Sequence, residues 1–150
     1  MDLEIITNSA QETIDLGRRT GSQLRGGEIF ALTGQLGSGK THFVKGLAAG
    51  AGSPEASSQV SSPTFVLVNE YIGDFHIYHI DAYRLESSEE FSALGFDDYC
   101  RPDSVVLIEW ADRVSSALAG LEIIELSLSH IAPQQRRISV CGLPEYISKG

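Results

Sequence analysis

The sequence is poor in basic residues, with 11 Lys and Arg against 20 Asp and Glu and a formal net charge of −9. Proteins that bind DNA or RNA neutralise phosphates with Lys and Arg, so we expect no DNA partner and no tight RNA binding by this chain alone. The same charge disfavours an anionic membrane surface. No apolar run approaches the roughly 20 residues that span a bilayer, so no membrane association is expected.

Cysteine is also scarce. Cys100 and Cys141 show neither the spacing of a metal site nor a disulfide framework, which favours reduced thiols. The acidic N-terminus lacks the basic start and apolar stretch of a secretory signal, and we therefore expect a cytoplasmic protein. A chain of 150 residues with 42% hydrophobic content is long enough for one ordinary core, so residues 1–150 are expected to form a single domain.

Hydrophobic periodicity predicts helices that alternate with strands. Ser9 and Glu12 form a capping-box pattern at the start of a helix predicted over residues 10–24. A short buried strand is predicted over residues 28–33, followed by a glycine-rich turn and a second, amphipathic helix. Residues 65–71 and 76–81 are β-rich runs joined by a turn, which is typical of a hairpin.

The second half of the chain adds strands. A second capping-box pattern over residues 87–90 predicts a short helix. The unbroken apolar run 105–108 predicts a central buried strand, and the alternation over residues 124–129 and 138–140 predicts an antiparallel pair with one wet face. The expected fold class is α/β, a three-layer P-loop NTPase-like domain around a mixed parallel and antiparallel sheet.

The strongest motif is Gly34-Gln35-Leu36-Gly37-Ser38-Gly39-Lys40-Thr41, a complete match to G-x-x-x-x-G-K-[ST] between a predicted strand and a helix. In such a P-loop, backbone N–H groups and the positive end of the helix dipole bind phosphates. Lys40 is expected to reach the β- and γ-phosphates, and the Thr41 hydroxyl to coordinate Mg²⁺. The expected nucleotide-binding residues here are Leu36, Gly37, Ser38, Gly39, Lys40, Thr41 and His42.

A P-loop also needs a carboxylate near the end of a strand. Glu109 ends the buried run 105–108, and Asp81 ends the run 76–80. Either one organises Mg²⁺ while the other polarises the attacking water. The other three histidines, His76, His79 and His130, show no ligand spacing, and we interpret them as surface or core residues. Since no N-K-x-D motif for guanine occurs, ATP is favoured over GTP.

Further blocks accompany the P-loop in a characteristic order and spacing. They are Val60-Ser61-Ser62-Pro63-Thr64-Phe65, Asn69-Glu70-Tyr71, His79-Ile80-Asp81-Ala82-Tyr83-Arg84-Leu85, Leu94-Gly95-Phe96 and Ile108-Glu109-Trp110-Ala111. From residue 34 to residue 113 the chain resembles the TsaE (YjeE) ATPases, which act in bacterial formation of threonylcarbamoyladenosine in tRNA. The helix before this stretch and the strands after it match more loosely.

The resemblance implies a subunit that binds ATP and Mg²⁺ and associates with the TsaB–TsaD pair, whose TsaD subunit transfers the threonylcarbamoyl group to tRNA. The chain would help that complex turn over and would contact tRNA only indirectly, through its partners. By position, Thr41 and Glu109 take the magnesium role. Lys40 takes the phosphate role, and Asp81 the catalytic or metal-organising role.

The resemblance also implies roles for residues outside the loop. Thr64 is placed to sense the γ-phosphate, and Ser9 and Arg136 to lie near the adenine and sugar. Trp110 either packs the site or reports its state. The sequence departs from the family pattern at Gln35, where Asp is usual, and at His42, where a second Thr is usual; the first departure bears on the hydrolysis rate.

Two other functions fit the sequence. One is an independent small P-loop kinase or phosphotransferase, and the other is a nucleotide-binding regulatory module that does not hydrolyse its ligand. Phosphate release without an acceptor distinguishes an ATPase from a kinase, and copurification with two partners distinguishes the assembly subunit from both.

Overall fold

The computed structural model describes residues 3–35, 38–53, 68–83, 85, 87–93 and 95–147. The predicted phosphate contacts of Leu36 and Gly37, the predicted switch residue Thr64 and the predicted strand residues 65–67 lie outside these ranges. In the described part, no helix combines the length and the apolar character needed to cross a bilayer.

The described residues form one sheet of seven strands in the order β1-β7-β6-β2-β5-β4-β3. In chain order the strands are β1 Leu3–Thr7, β2 Ile29–Gly34, β3 Val68–Ile72, β4 His76–Asp81, β5 Ser104–Glu109, β6 Ile124–His130 and β7 Arg136–Cys141. Strand β2 runs parallel to β5 and β6, and β4 runs parallel to β5. The pairs β1–β7, β3–β4 and β6–β7 are antiparallel, so the predicted mixed sheet is confirmed.

Helices cover both faces of the sheet. They are α1 Ala10–Gly21, α2 Lys40–Gly50, α3 Ser88–Ala93, α4 Phe96–Tyr99 and a 3₁₀ helix, Ala111–Leu118. On one face Leu16 of α1 and Val44 of α2 pack with Leu107 of β5. On the other face Phe91 of α3 and Val114 of the 3₁₀ helix belong to a second apolar cluster. The three-layer prediction is therefore confirmed.

Helix α1 begins with the predicted capping box. The Glu12 N–H donates to Ser9 Oγ at 3.1 Å, and the Glu12 carboxylate accepts from the N–H of Asn8 at 3.0 Å. The predicted end near Leu24 is wrong, because α1 ends at Gly21. The N–H of Leu24 bonds only three residues back, to Gly21 O at 3.4 Å, so the chain tightens into a turn there.

Three elements of the structure were not predicted, and they are strand β1, the short helix α4 and the 3₁₀ helix. Strand β1 is an edge strand in which Glu4 and Ile6 are exposed while Leu3 and Ile5 are half-buried. Such a short strand with a charged residue gives a weak alternation signal. The 3₁₀ helix starts directly after Trp110. The family resemblance predicts a role for Trp110 in the site but no secondary structure after it.

Helices α1 and α2 cross at backbone contact. A Cβ atom on Gly46 would lie 1.9 Å from Ile14 O, and one on Gly17 would lie 2.3 Å from Phe43 O. The glycines at this crossing come from both helices and are Gly17, Gly21, Gly46 and Gly50. Because no side chain separates the backbones, α1 fixes the position of α2, which begins at Lys40.

Gly46→Ala tests this contact. The added methyl group has no space against Ile14 O, so we expect a loss of about 1–3 kcal/mol in the free energy of unfolding, measured by urea denaturation. Arg19→Ala on the exposed side of α1 is the control and should change stability by less than about 0.5 kcal/mol. Equal stability of the two variants would show that the crossing relaxes without cost.

Candidate active site at the ends of the parallel strands

The candidate site lies at the carboxyl ends of β2, β5 and β4. In the parallel register Asp81 is paired with Glu109, and Glu109 is paired with Leu32. Strand β2 ends at Gly34, where the glycine-rich loop leads to α2. The structure therefore brings both predicted carboxylates to the strand ends beside the loop, which is where open α/β sheets bind ligands.

The carboxylates face the layer of α1 and α2. Ile77 on β4 and Leu107 on β5 are part of the apolar cluster on that face. Side chains two residues apart along a strand share a face, so His79, Asp81 and Glu109 point the same way. The apolar core thus gives way to polar groups at the strand ends, next to the first turn of α2.

Lys40 is the first residue of α2 and is buried, with 5% of its surface exposed. Its Nζ donates to the backbone oxygen of Gly34 and, at 3.3 Å, to that of Gln35. The ammonium also lies 4.0 Å from the centre of the Trp110 ring, a cation–π contact. Two backbone oxygens and one aromatic ring therefore hold the ammonium at the loop.

Charge and burial oppose each other in this site. Burial lowers the pKa of the Lys40 ammonium, and the negative charges of Glu109 and Asp81 act against that shift. Burial raises the pKa of the Asp81 carboxyl, while the Tyr83 N–H, which donates to Asp81 Oδ1 at 2.9 Å, lowers it. Groups whose pKa values are shifted by burial and by nearby charges are typical of functional sites.

Glu109 has a partner that the sequence analysis missed. His79 is fully buried, and its Nε2 is hydrogen-bonded to Glu109 Oε2. On the other side of the ring, the Tyr71 hydroxyl lies 3.4 Å from His79 Nδ1. The sequence analysis interprets His79 as a surface or core residue, and the structure places it in the core. The available signal was its position two residues before Asp81, which places both side chains on one face.

The described part of the loop ends with Ser38 and Gly39. Ser38 Oγ is the only buried side-chain nitrogen or oxygen among the described residues that has no hydrogen-bond partner. Gly39 has a left-handed φ of 106° and provides no side-chain cap for α2. Uncapped N–H groups at a helix start attract anions. Thr41 is half-buried in the first turn of α2, and His42 is exposed.

Ser9 and Arg136, which the family resemblance places at the adenine and sugar, belong to the start of α1 and to β7. A Cβ atom on Gly39 would be 3.7 Å from Thr13 Cγ2 and 3.8 Å from Arg136 Cγ. Ser9 caps α1 one turn before Thr13. The structure thus brings Arg136 next to Gly39 and places Ser9 one turn of α1 before the nearby Thr13. Arg136 Nη1 donates to the backbone oxygen of Pro133 at 3.1 Å.

Trp110 has a left-handed backbone, with φ 60°, and no other described non-glycine residue has a positive φ. For a bulky residue this conformation costs about 1–3 kcal/mol and is found mainly at functional sites. The centre of the indole also lies 4.9 Å from the centre of the half-exposed Tyr83 ring. The guanidinium carbon of Arg113 lies 4.9 Å from the centre of the same Tyr83 ring.

Comparison with known proteins identifies the family. The family model for threonylcarbamoyl adenosine biosynthesis protein TsaE matches residues 7–138. A relative from Treponema pallidum, tRNA threonylcarbamoyladenosine biosynthesis protein TsaE, is 39% identical over 92% of this chain and 99% of its own length. The Bacillus subtilis protein of the same name is 34% identical over 89% of this chain and 81% of its own length. The chain belongs to the TsaE family.

A solved structure agrees with this assignment. The crystal structure of Bacillus subtilis YdiB superposes with a TM-score of 0.76 and 27% identity, over 98% of this chain and 89% of that one. The architecture is that of a P-loop NTPase, and a TsaE-family chain with this fold is a nucleotide-binding protein.

The described residues fit a phosphate group. Ser38 Oγ lacks a partner, the start of α2 has no side-chain cap, and the Lys40 ammonium is held at the loop by neutral backbone oxygens. For a metal ion, no group of three or more His, Cys, Asp or Glu in the described residues is arranged to bind one. Mg²⁺ at nucleotide sites generally uses one or two protein oxygens together with phosphates and water, a role open to Thr41 and Glu109.

Ser38→Ala tests two expected effects of the Ser38 hydroxyl, a cost to stability without nucleotide and a contribution to phosphate binding. Removal of an unpaired buried hydroxyl should raise the free energy of unfolding of the nucleotide-free protein, by about 1 kcal/mol. Loss of the donor should weaken binding of ADP, about tenfold for a hydrogen bond to a charged group, measured by calorimetry. Ser129→Ala on the exposed side of β6 should change neither quantity. Lower stability with unchanged ADP affinity would contradict the assignment of Ser38 to the phosphate site.

Proposed function

We propose that this chain is a Mg²⁺-dependent P-loop ATPase that supports the TsaB–TsaD complex in threonylcarbamoyl modification of adenosine in tRNA, and that it is not itself the transferase. The observation that carries the proposal is the meeting of buried Lys40, Asp81 and Glu109 at the end of the glycine-rich loop. This arrangement is the one that phosphoryl transfer to water requires, with a cation for the phosphates and carboxylates for metal and water.

Each residue has a specific role in this proposal. Lys40 leaves the oxygens of Gly34 and Gln35 and binds the β- and γ-phosphates, for which an ammonium has much higher affinity than for neutral oxygens. Thr41 and Glu109 hold Mg²⁺, which neutralises charge on the phosphates. Asp81, whose pKa is raised by burial, orients or polarises the attacking water.

The rest of the nucleotide would lie along the start of α1. Arg136 lies next to Gly39 and Ser9 caps the start of α1, and these two residues are the proposed contacts of the adenine and sugar. Thr64 is proposed to sense the γ-phosphate, and His42 to lie near the phosphates from the first turn of α2. ATP is preferred to GTP in this proposal, since the chain lacks an N-K-x-D motif.

The net charge of −9 supports a proposal in which the partner proteins, and not this chain, bind the tRNA. A chain this acidic binds tRNA weakly at physiological salt, because it has few cations to replace the counterions of the phosphates. We therefore propose that TsaB and TsaD hold the tRNA in the cytoplasm while this chain supplies the nucleotide cycle.

The two carboxylates are distinguished by a magnesium titration. Glu109→Gln should require much more Mg²⁺ for half-maximal ATP hydrolysis, because an amide oxygen is a poorer ligand for a hard cation. Asp81→Asn should lower the maximal rate, by about 10²–10⁴-fold for a lost base, with a smaller change in the Mg²⁺ requirement. The reverse order would mean that the two roles are exchanged.

A reconstitution experiment tests the place in the assembly. Added to purified TsaB and TsaD, the chain should associate in an ATP-sensitive manner, measured by size-exclusion chromatography with ATP and with a non-hydrolysable analogue. It should also increase the number of modified adenosines formed per complex. Lys40→Ala is the control and should lose the ATP effect, because the charge facing the phosphates is removed.

The outcomes separate the alternatives. Phosphate release from ATP without an acceptor supports an ATPase and excludes a strict kinase. ATP binding without any phosphate release, alone or with the partners, supports a non-hydrolysing regulatory module. Absence of association under both nucleotide conditions would reject the assembly role and leave the phosphate chemistry of the loop standing.

A further inference from the structure

The buried histidine behind Glu109 has no part in the function proposed so far. His79 is 0% exposed and lies between Tyr71 and Glu109 in the interior of the protein. Along the same face of β4 its neighbours are Ile77, which is fully buried, and the buried carboxylate of Asp81. A polar ring is costly in such a place unless its nitrogens are hydrogen-bonded, so a leucine would serve packing alone equally well.

The two contacts of the ring fit one assignment of its hydrogens. A carboxylate oxygen without a hydrogen only accepts hydrogen bonds, and in this assignment His79 Nε2 carries the hydrogen that is donated to Glu109 Oε2. In a neutral ring Nδ1 is then an acceptor, and the Tyr71 hydroxyl at 3.4 Å donates to it. The order of donation is Tyr71 to His79 to Glu109.

We propose that His79 is a positioning residue that holds the Glu109 carboxylate in the orientation needed to bind the metal ion, with Tyr71 fixing the tautomer of the ring. The inference rests on the proposed function, since it takes Glu109 as a metal ligand. Neighbours that orient ligating groups in this way change metal affinity about 10–100-fold when they are removed.

The position of Lys40 gives a second reason to assign His79 a role in positioning Glu109. The ammonium attracts Glu109 and Asp81, yet it forms no salt bridge with either carboxylate in the described structure. A Glu109 side chain that lost its bond to His79 would be free to turn toward this cation. His79 thus keeps the carboxylate available for metal and the lysine available for phosphate.

Two substitutions at His79 separate positioning from packing. His79→Leu fills a similar volume but donates no hydrogen bond, whereas the amide nitrogen of His79→Gln is able to replace the Nε2 donor. The first readout is Mn²⁺ binding to the protein–ATP complex, measured by electron paramagnetic resonance. We expect the Mn²⁺ dissociation constant to rise about tenfold or more in His79→Leu and to return close to the wild-type value in His79→Gln.

ATP affinity in EDTA provides the control for the phosphate site and should be the same in all three proteins. Tyr71→Phe should produce a smaller rise in the Mn²⁺ dissociation constant, because the ring keeps its donor and loses only the group that fixes its tautomer. This variant also keeps the test informative if His79→Leu fails to fold.

A second readout does not involve the metal. In ¹⁵N-histidine-labelled wild-type protein without nucleotide, the His79 signals, identified by their loss in His79→Gln, should show hydrogen on Nε2 and none on Nδ1. Hydrogen on Nδ1, or an averaged mixture of tautomers, would overturn the inference. So would wild-type Mn²⁺ affinity in His79→Leu. Failure of the wild-type protein itself to bind ATP with Mn²⁺ would instead reject the proposed function.

Discussion

The parallel register of β2, β5 and β4 is the constraint on which the site depends. It places Asp81 beside Glu109 and both beside the loop that follows β2, so two carboxylates lie together out of water. Like charges in such a place repel each other and lose solvation. The arrangement persists because Lys40 supplies an opposite charge and His79 a hydrogen bond. The two helices on that face hold these groups in place.

Several local features of the site oppose stability. Lys40 and Asp81 are buried with pKa values shifted toward their neutral forms, Ser38 Oγ has no partner, and Trp110 has a strained backbone. Such features are characteristic of sites kept for function. The rest of the fold compensates through two apolar clusters and through the glycine crossing between α1 and α2. The features that oppose stability and the contacts that provide it therefore lie in different parts of the described structure.

The fold was largely predictable because its signals are local. The apolar run 105–108, the alternation in β6 and β7 and the glycine-rich turn specify strands and a loop independently of tertiary contacts. Burial alone does not identify a functional carboxylate. Glu28 is also buried, but it accepts hydrogen bonds from the Gly26 N–H and the Tyr146 hydroxyl and has a structural role. Glu109 differs in lying at the carboxyl end of a parallel strand. Spacing along β4 places His79 on the same face as Asp81, but the bond to Glu109 was not predictable, because it also depends on the register of β4 and β5.

The structure also shows which contact of residue 35 is unaffected by the departure from the TsaE pattern at Gln35. Lys40 contacts residue 35 through the backbone oxygen, so this contact does not depend on the side chain present. The Gln35 side chain is exposed to solvent. A carboxylate at an exposed position acts through water and salt, which screen its charge strongly. The substitution of Gln for Asp therefore leaves the contact between Lys40 and the backbone oxygen of residue 35 in place, while its effect on the hydrolysis rate stays a prediction.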